Sequence, residues 1–157
     1  MNYKTMILAN QIEIPQVGFG TWKIPDGIVA SEIIRNAIKN GYRHIDTAAA
    51  YSNEAGVGLG IKNSALQREE IFVTGKLWNT DREYNKVFKA YNKTVKALQL
   101  KYLDLYLIHW PASPAVHNDW EKINADTWKA FEKLYEDGLV KAIGLSNFLP
   151  HHIEALK

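Results

Sequence analysis

The chain has 157 residues, 46% hydrophobic and 23% charged, an ordinary balance for a soluble globular protein of one domain. It contains no cysteine, which excludes disulfides, thiolate metal sites and a cysteine nucleophile, and which fits a reducing cytoplasm. A net charge of +2 with scattered lysines argues against nucleic acid as the main partner; Met1–Asn10 shows no signal-peptide pattern, and no apolar run approaches the roughly 20 residues a membrane helix needs.

In chain order, Met6–Ile14 is predicted to form a short hairpin turning near Ala9-Asn10. Val17–Thr21 reads as a strand. Asp26 is placed to cap a helix with Val29, Ile33, Ala37 and Ile38 at helical spacing, closed by Gly41. The unit then recurs. Strand Arg43–Thr47 precedes helix Asn53–Lys62, whose three glycines, Gly56, Gly58 and Gly60, weaken it as a helix. Strand Ile71–Lys76 precedes helix Glu83–Leu98, with Val87, Tyr91, Val95 and Leu98 on one face. Strand Leu103–His109 precedes helix Ala125–Asp137, with Trp128, Phe131 and Leu134 aligned. Strand Leu139–Leu145 precedes a helix opening at Pro150, a first-turn position that proline tolerates.

Strands alternating with helices imply an α/β fold with parallel pairing through right-handed crossovers. Two architectures compete, a doubly wound open sheet and a closed β/α barrel. No Gly-x-Gly-x-x-Gly follows the first strand, which counts against a Rossmann domain; the run Gly56-Val57-Gly58-Leu59-Gly60 has the wrong spacing and lies within a helix. In a barrel, chemistry gathers where strands end. Those positions hold Thr21 and Trp22, Asp46, Lys76, His109 and Trp110, then Ser146 and Asn147, with Tyr51 in the loop after the second strand. Singly, each has an ordinary reading: a loop cap for Asp46, a snorkelling Lys76, a satisfied core His109, packing aromatics, a turn at Ser146-Asn147. Together they set an acid, a base, a cation and a phenol on one rim, which chance packing rarely produces.

These residues carry a family pattern. Gly41-Tyr42-Arg43-His44-Ile45-Asp46-Thr47-Ala48, followed by Tyr51, Asn53-Glu54 and Gly58, resembles the first aldo-keto reductase signature. Lys141-Ala142-Ile143-Gly144-Leu145-Ser146-Asn147-Phe148 resembles the second. Leu107-Ile108-His109-Trp110-Pro111, Thr74-Gly75-Lys76 and Gly18-Phe19-Gly20-Thr21-Trp22 sit where that family has them. The resemblance implies a (β/α)8 TIM-barrel type fold, of which residues 1–157 would be the N-terminal part, about five βα units preceded by the hairpin, with no second domain. It implies a catalytic tetrad of Asp46, Tyr51, Lys76 and His109, and reduction of aldehydes and ketones to alcohols with NADPH. Thr21 and Asp46 would approach the cofactor, Ser146 and Asn147 would hold the nicotinamide carboxamide, and Trp22 and Trp110 would line the substrate pocket. No metal is assigned.

Hydride addition puts negative charge on the carbonyl oxygen, which the enzyme must stabilise and protonate. A free phenol is a poor proton donor at neutral pH, and an ammonium beside it favours the phenolate left behind. Lys76 is therefore expected to tune Tyr51, Asp46 to keep Lys76 charged, and His109 to hydrogen-bond the carbonyl oxygen.

Length is the departure from the family. A β/α barrel typically takes about 250 residues, with 200 near the lower limit. The sixth to eighth strands, the C-terminal loops and, in the family, the basic residues that grip the adenosine 2′-phosphate would lie beyond this chain. Five parallel strands cannot close that barrel, so the first and fifth are expected to be open edges. The chain is then a piece of a longer enzyme, or two copies cover each other's exposed faces, or the half-barrel flattens; a fragment that self-associates is the expectation. Three functions compete: a reductase, a non-catalytic relative that binds cofactor or a partner without turnover, and a Rossmann dehydrogenase, which would need phosphate glycines the first strand lacks.

Overall fold

The computed structural model describes residues 4–156, so the start of the Met1–Asn10 segment and the final lysine lie outside the described residues. A hairpin opens the chain: β1 (Thr5–Ile7) pairs antiparallel with β2 (Glu13–Pro15). Its turn closes through Leu8 N–H to Ile12 O and Gln11 N–H to Leu8 O. Five parallel strands follow in simple sequence order, β3 (Phe19–Gly20), β4 (His44–Asp46), β5 (Phe72–Leu77), β6 (Leu105–Ile108) and β7 (Ile143–Leu145). Helices α1 (Ile28–Lys39), α2 (Glu54–Lys62), α3 (Tyr84–Leu98) and α4 (Trp120–Glu136) connect them, and α5 (Pro150–Glu154) follows β7 with Pro150 in its first turn.

An unbroken strand order with no switch point decides between the two architectures: this is a partial β/α barrel rather than a doubly wound sheet. The core confirms it. Ile45, Val73, Leu77, Tyr106 and Ile108 point to one side, where they meet Ile34, Val57, Val87, Tyr91, Phe131 and Leu134 of the helices. Tyr106 stacks on Phe131 at 4.8 Å between ring centroids. Side chains of the opposite parity belong to the inner face: Asp46, Thr74, Lys76, Leu105 and Leu107, with Gly144 set against Leu107. The two leucines are only half-buried, and β3 and β7 each have one hydrogen-bonded neighbour, as expected for open edges.

The glycines of α2 have a packing reason. A Cβ on Gly58 would stand 2.2 Å from the Leu98 carbonyl oxygen of α3, and one on Gly60 would stand 2.7 Å from Ile34 of α1. Their absence lets both neighbouring helices approach α2 closely, which offsets the helix propensity lost. These positions are filled by protein and form no phosphate cradle.

Several expected details differ. Asp26 does not cap its own helix; its Oδ1 accepts the Gly56 N–H at 2.7 Å, satisfying a free donor in the first turn of α2 instead. The buried face of α1 is Ala30, Ile34, Ala37 and Ile38, while Val29 is exposed, because α1 meets α2 on a slightly rotated stripe. Helix α4 begins five residues before the expected Ala125, at Trp120. Asn124, a modest helix former, is held there by two hydrogen bonds to Ala112 that periodicity cannot reveal.

Candidate active site

The site is built where β4, β5 and β6 end. Asp46 and Lys76 project from neighbouring strands on the inner face. Lys76 Nζ donates to Asp46 Oδ1, to the Thr47 carbonyl at 3.2 Å and to Tyr51 Oη at 3.4 Å. Its side chain is 8% exposed against 32% for Asp46, so the cation is buried and its carboxylate partner reaches the rim. Three oxygens around one ammonium compensate a charge that would otherwise be expensive to bury.

Tyr51 is presented by a single 3-10 turn, Ala49–Tyr51, closed by Ser52 in the left-handed region (φ 55°). That loop is braced from below. Asn53, fully buried, donates to the carbonyls of Thr21 (2.8 Å) and Ile24 (2.9 Å), tying the loop after β4 to the loop after β3. The Thr21 hydroxyl donates to Thr47 Oγ1, which in turn donates to Asn53 Oδ1. Thr21 itself is 0% exposed, with its N–H on the Asp46 carbonyl. The structure thus places Thr21 as an internal strut, with hydroxyl, N–H and carbonyl all engaged within the chain.

His109 follows β6 and its N–H donates to the Leu77 carbonyl at 3.2 Å. Its ring stands edge-on between Tyr51 (centroids 5.7 Å apart) and Trp78 (5.3 Å). Burial, and secondarily the charge on Lys76, push the imidazole below its ordinary range, so it is neutral at pH 7. Among the described residues, its Nδ1 is buried without a hydrogen-bond partner. A neutral imidazole keeps one donor and one acceptor nitrogen, and with Nδ1 out of reach of solvent, Nε2 is the nitrogen left to meet a ligand's oxygen beside the phenol.

Ser146 and Asn147 follow β7. Asn147 adopts φ 63°, and its Nδ2 donates to the His109 carbonyl (2.8 Å) and to Ser146 Oγ (3.0 Å). The amide hydrogens are therefore committed, and Oδ1 is the atom left to accept from a ligand amide. Trp22 and Trp110 are 67% and 46% exposed, available as walls rather than buried as core. A cavity of about 960 Å³ shares Trp110 and Asn147 with this rim and touches none of Asp46, Tyr51, Lys76 or His109.

The structure therefore brings Asp46, Tyr51 and Lys76 into one hydrogen-bonded junction with His109 against the phenol ring. Reading the sequence missed Trp78 and Thr47. Trp78 was accessible to the same reasoning, since it stands two residues after Lys76 at a strand end. The Thr47 carbonyl carries no side-chain signal.

Comparison with known proteins bears on the same residues. Residues 16–157 match the family described as the Aldo/keto reductase family. The chain is 51% identical over 152 residues to glyoxal reductase of Bacillus subtilis, covering 97% of this chain and 52% of that protein. It superposes on the crystal structure of an aldo/keto reductase from Brucella melitensis with a TM-score of 0.91 at 44% identity, covering 99% of this chain and 58% of that one. It also superposes on a mutant of Gox0644 in complex with NADPH, with a TM-score of 0.87 at 38% identity, covering 99% of this chain and 54% of that one. The chain spans about half the length of these relatives. With the matched stretch running from before β3 to the last residue, this chain belongs to the aldo/keto reductase family.

Proposed function

We propose that the protein reduces small aldehydes and ketones to alcohols with NADPH, Tyr51 giving the proton. The observation that carries this reading is the junction at Lys76, whose ammonium touches both the Asp46 carboxylate and the Tyr51 hydroxyl inside a largely buried corner. NADPH, when bound, supplies the hydride to the carbonyl carbon. The residues fit that group: Asn147 Oδ1 and the Ser146 hydroxyl can meet a carboxamide, and half-exposed Asp46 stands at the rim.

As the carbon–oxygen double bond opens, charge gathers on oxygen. The neutral imidazole of His109 directs an N–H at that oxygen and fixes its place beside the phenol. Tyr51 passes its proton to the oxygen, giving the alcohol, and the phenolate left behind is stabilised by the Lys76 ammonium 3.4 Å away. Asp46 keeps that ammonium charged, and solvent returns a proton to Tyr51. Trp22 and Trp110 supply flat apolar walls that exclude water. Thr21 contributes by holding the loop of Tyr51 rather than through its hydroxyl.

The test is loss of NADPH absorbance with glyoxal and methylglyoxal, chosen because the Bacillus subtilis relative is a glyoxal reductase. Turnover that disappears in Tyr51→Phe supports the reading. A second reading, binding of cofactor or a partner without turnover, draws on β3 and β7, each with one hydrogen-bonded strand neighbour among the described residues. Quenching of tryptophan fluorescence by NADPH without any consumption of it would favour that reading.

A further inference from the structure

Strand pairing stops abruptly after β6. The last sheet bonds are His109 N–H to Leu77 O and Ser146 N–H to Ile108 O. Beyond them comes Trp110-Pro111, where Pro111 has no N–H and holds Trp110 out of helical conformation. From the His109 carbonyl onward, the backbone through Ala112 therefore has no ladder to hold it. Four consecutive carbonyl oxygens are instead held by three side chains, one from the loop before α3, one from α4 and one from the loop after β7. Asn147 donates to His109 O (2.8 Å), Arg82 Nη2 to both Trp110 O (2.9 Å) and Pro111 O (2.7 Å), and Asn124 to Ala112 O (3.1 Å). Asn124 also accepts the Ala112 N–H at 2.8 Å.

Arg82 is the centre of this set. It is 7% exposed, and among the described residues no carboxylate forms an ion pair with it. Its Nε has no partner among the described residues, and burial pushes its pKa down. A guanidinium buried without a counter-ion is costly, and here its hydrogen bonds go to the two carbonyls of one loop. Arg35, by contrast, lies at the surface in an ordinary pair with Glu32.

We propose that Arg82 is a positioning residue: its guanidinium straps the Trp110–Pro111 backbone and thereby fixes the His109 imidazole and the Trp110 ring at the rim. Its consequence for turnover rests on the reductase reading above. Displacement of a reacting group by about 1 Å can cost 10²-fold, so a small slackening of this loop matters.

The test compares Arg82→Met, which keeps the bulk and loses all donors, with Arg82→Gln, a neutral amide that can still donate to one carbonyl. On the chain as it stands, hydrogen exchange read by mass spectrometry should speed up in Arg82→Met for peptides spanning residues 109–113, and not in peptides of α1 or α2. The His109 proton resonance, assigned with a His109→Gln control, should titrate at higher pH as its burial is relieved. Arg82→Gln should recover part of both effects, which separates hydrogen bonding from charge. If the parent turns over, kcat/KM should fall about 10- to 100-fold in Arg82→Met with the Kd for NADPH within about twofold. Unchanged exchange and an unchanged His109 titration in Arg82→Met overturn the proposal. So does an equal loss of protection throughout the chain in both variants, which would make Arg82 a general stability element. If the parent shows no turnover, the reductase reading fails, while exchange and titration still decide the role of Arg82.

Discussion

Each end of the parallel sheet carries ion pairing built on a single aspartate, and the two ends use it in opposite ways. At the N-terminal end, the Asp104 side chain is 6% exposed and both its oxygens are engaged: Arg68 at 2.6 Å and the Val73 N–H at 2.9 Å on one, Lys141 at 2.9 Å on the other. Both cations also flank the Tyr102 ring, at 4.2 and 4.5 Å from its centroid. At the C-terminal end, Lys76 meets Asp46 and Tyr51, yet the Asp46 side chain is 32% exposed and the rings of Trp22 and Trp110 face outward. A network closed on itself contributes stability. A network left open toward a common space leaves polar atoms for a substrate, and barrels of this type keep chemistry at that end.

The largest expected effect tests the open end. Tyr51→Phe should lower turnover by about 10²- to 10⁴-fold with NADPH affinity and unfolding midpoint nearly unchanged; loss of binding together with turnover would give the ring a structural role instead. The counterpart is Asp104→Ala. Breaking a buried pair costs about 3–5 kcal/mol, and here the lower end applies because Lys141 remains 40% exposed. Urea unfolding should show it, with the Tyr51–Lys76 junction intact in the folded fraction. Equal stability of the two variants would dissolve the contrast between the ends. Lys76→Met should reduce turnover by about 10²-fold and shift or abolish the pH dependence of reduction; an unaltered profile removes the lysine from tuning Tyr51.

The smallest effects are in pH dependence. His44, His109 and His152 are each pushed below their ordinary 6.5, chiefly by burial. With folded values depressed, their contribution is complete above about 6.5 and is lost as pH falls through the folded values, so the unfolding midpoint should drop between pH 7 and pH 5. Glu54 runs the other way. Burial raises it above its ordinary 4.5, so its contribution is full below that value and is lost as pH rises through the folded value. Glu54→Gln should therefore match the parent near pH 4 and become more stable than it as pH rises. A constant gap across that range would mean that Glu54 is not buried as a charge.

Much of this was legible in the chain. The strand–helix alternation, the parallel pairing it implies and the residues at the strand ends are all readable from periodicity and turn signals, since each depends on local spacing, whereas the unbroken strand order is not. Strand limits were read too long. Val17–Thr21 contracts to Phe19–Gly20 and Leu139–Leu145 to Ile143–Leu145, because β3 and β7 pair on one side only and fewer residues are held in the ladder. The brace beneath Tyr51 was not legible, since Asn53 acts on carbonyls 32 and 29 residues away.

By itself the sequence determined which chemistry-bearing side chains end which strands, and the family to which the chain belongs, because both are written in residue order and type. Only the tertiary structure decided that Asp26 caps a helix not its own, that Thr21 turns inward, and that Arg82 and Asn124 hold the loop of His109. Those outcomes depend on backbone carbonyls and amides, which every residue carries, so their partners are settled by packing geometry and not by side-chain identity.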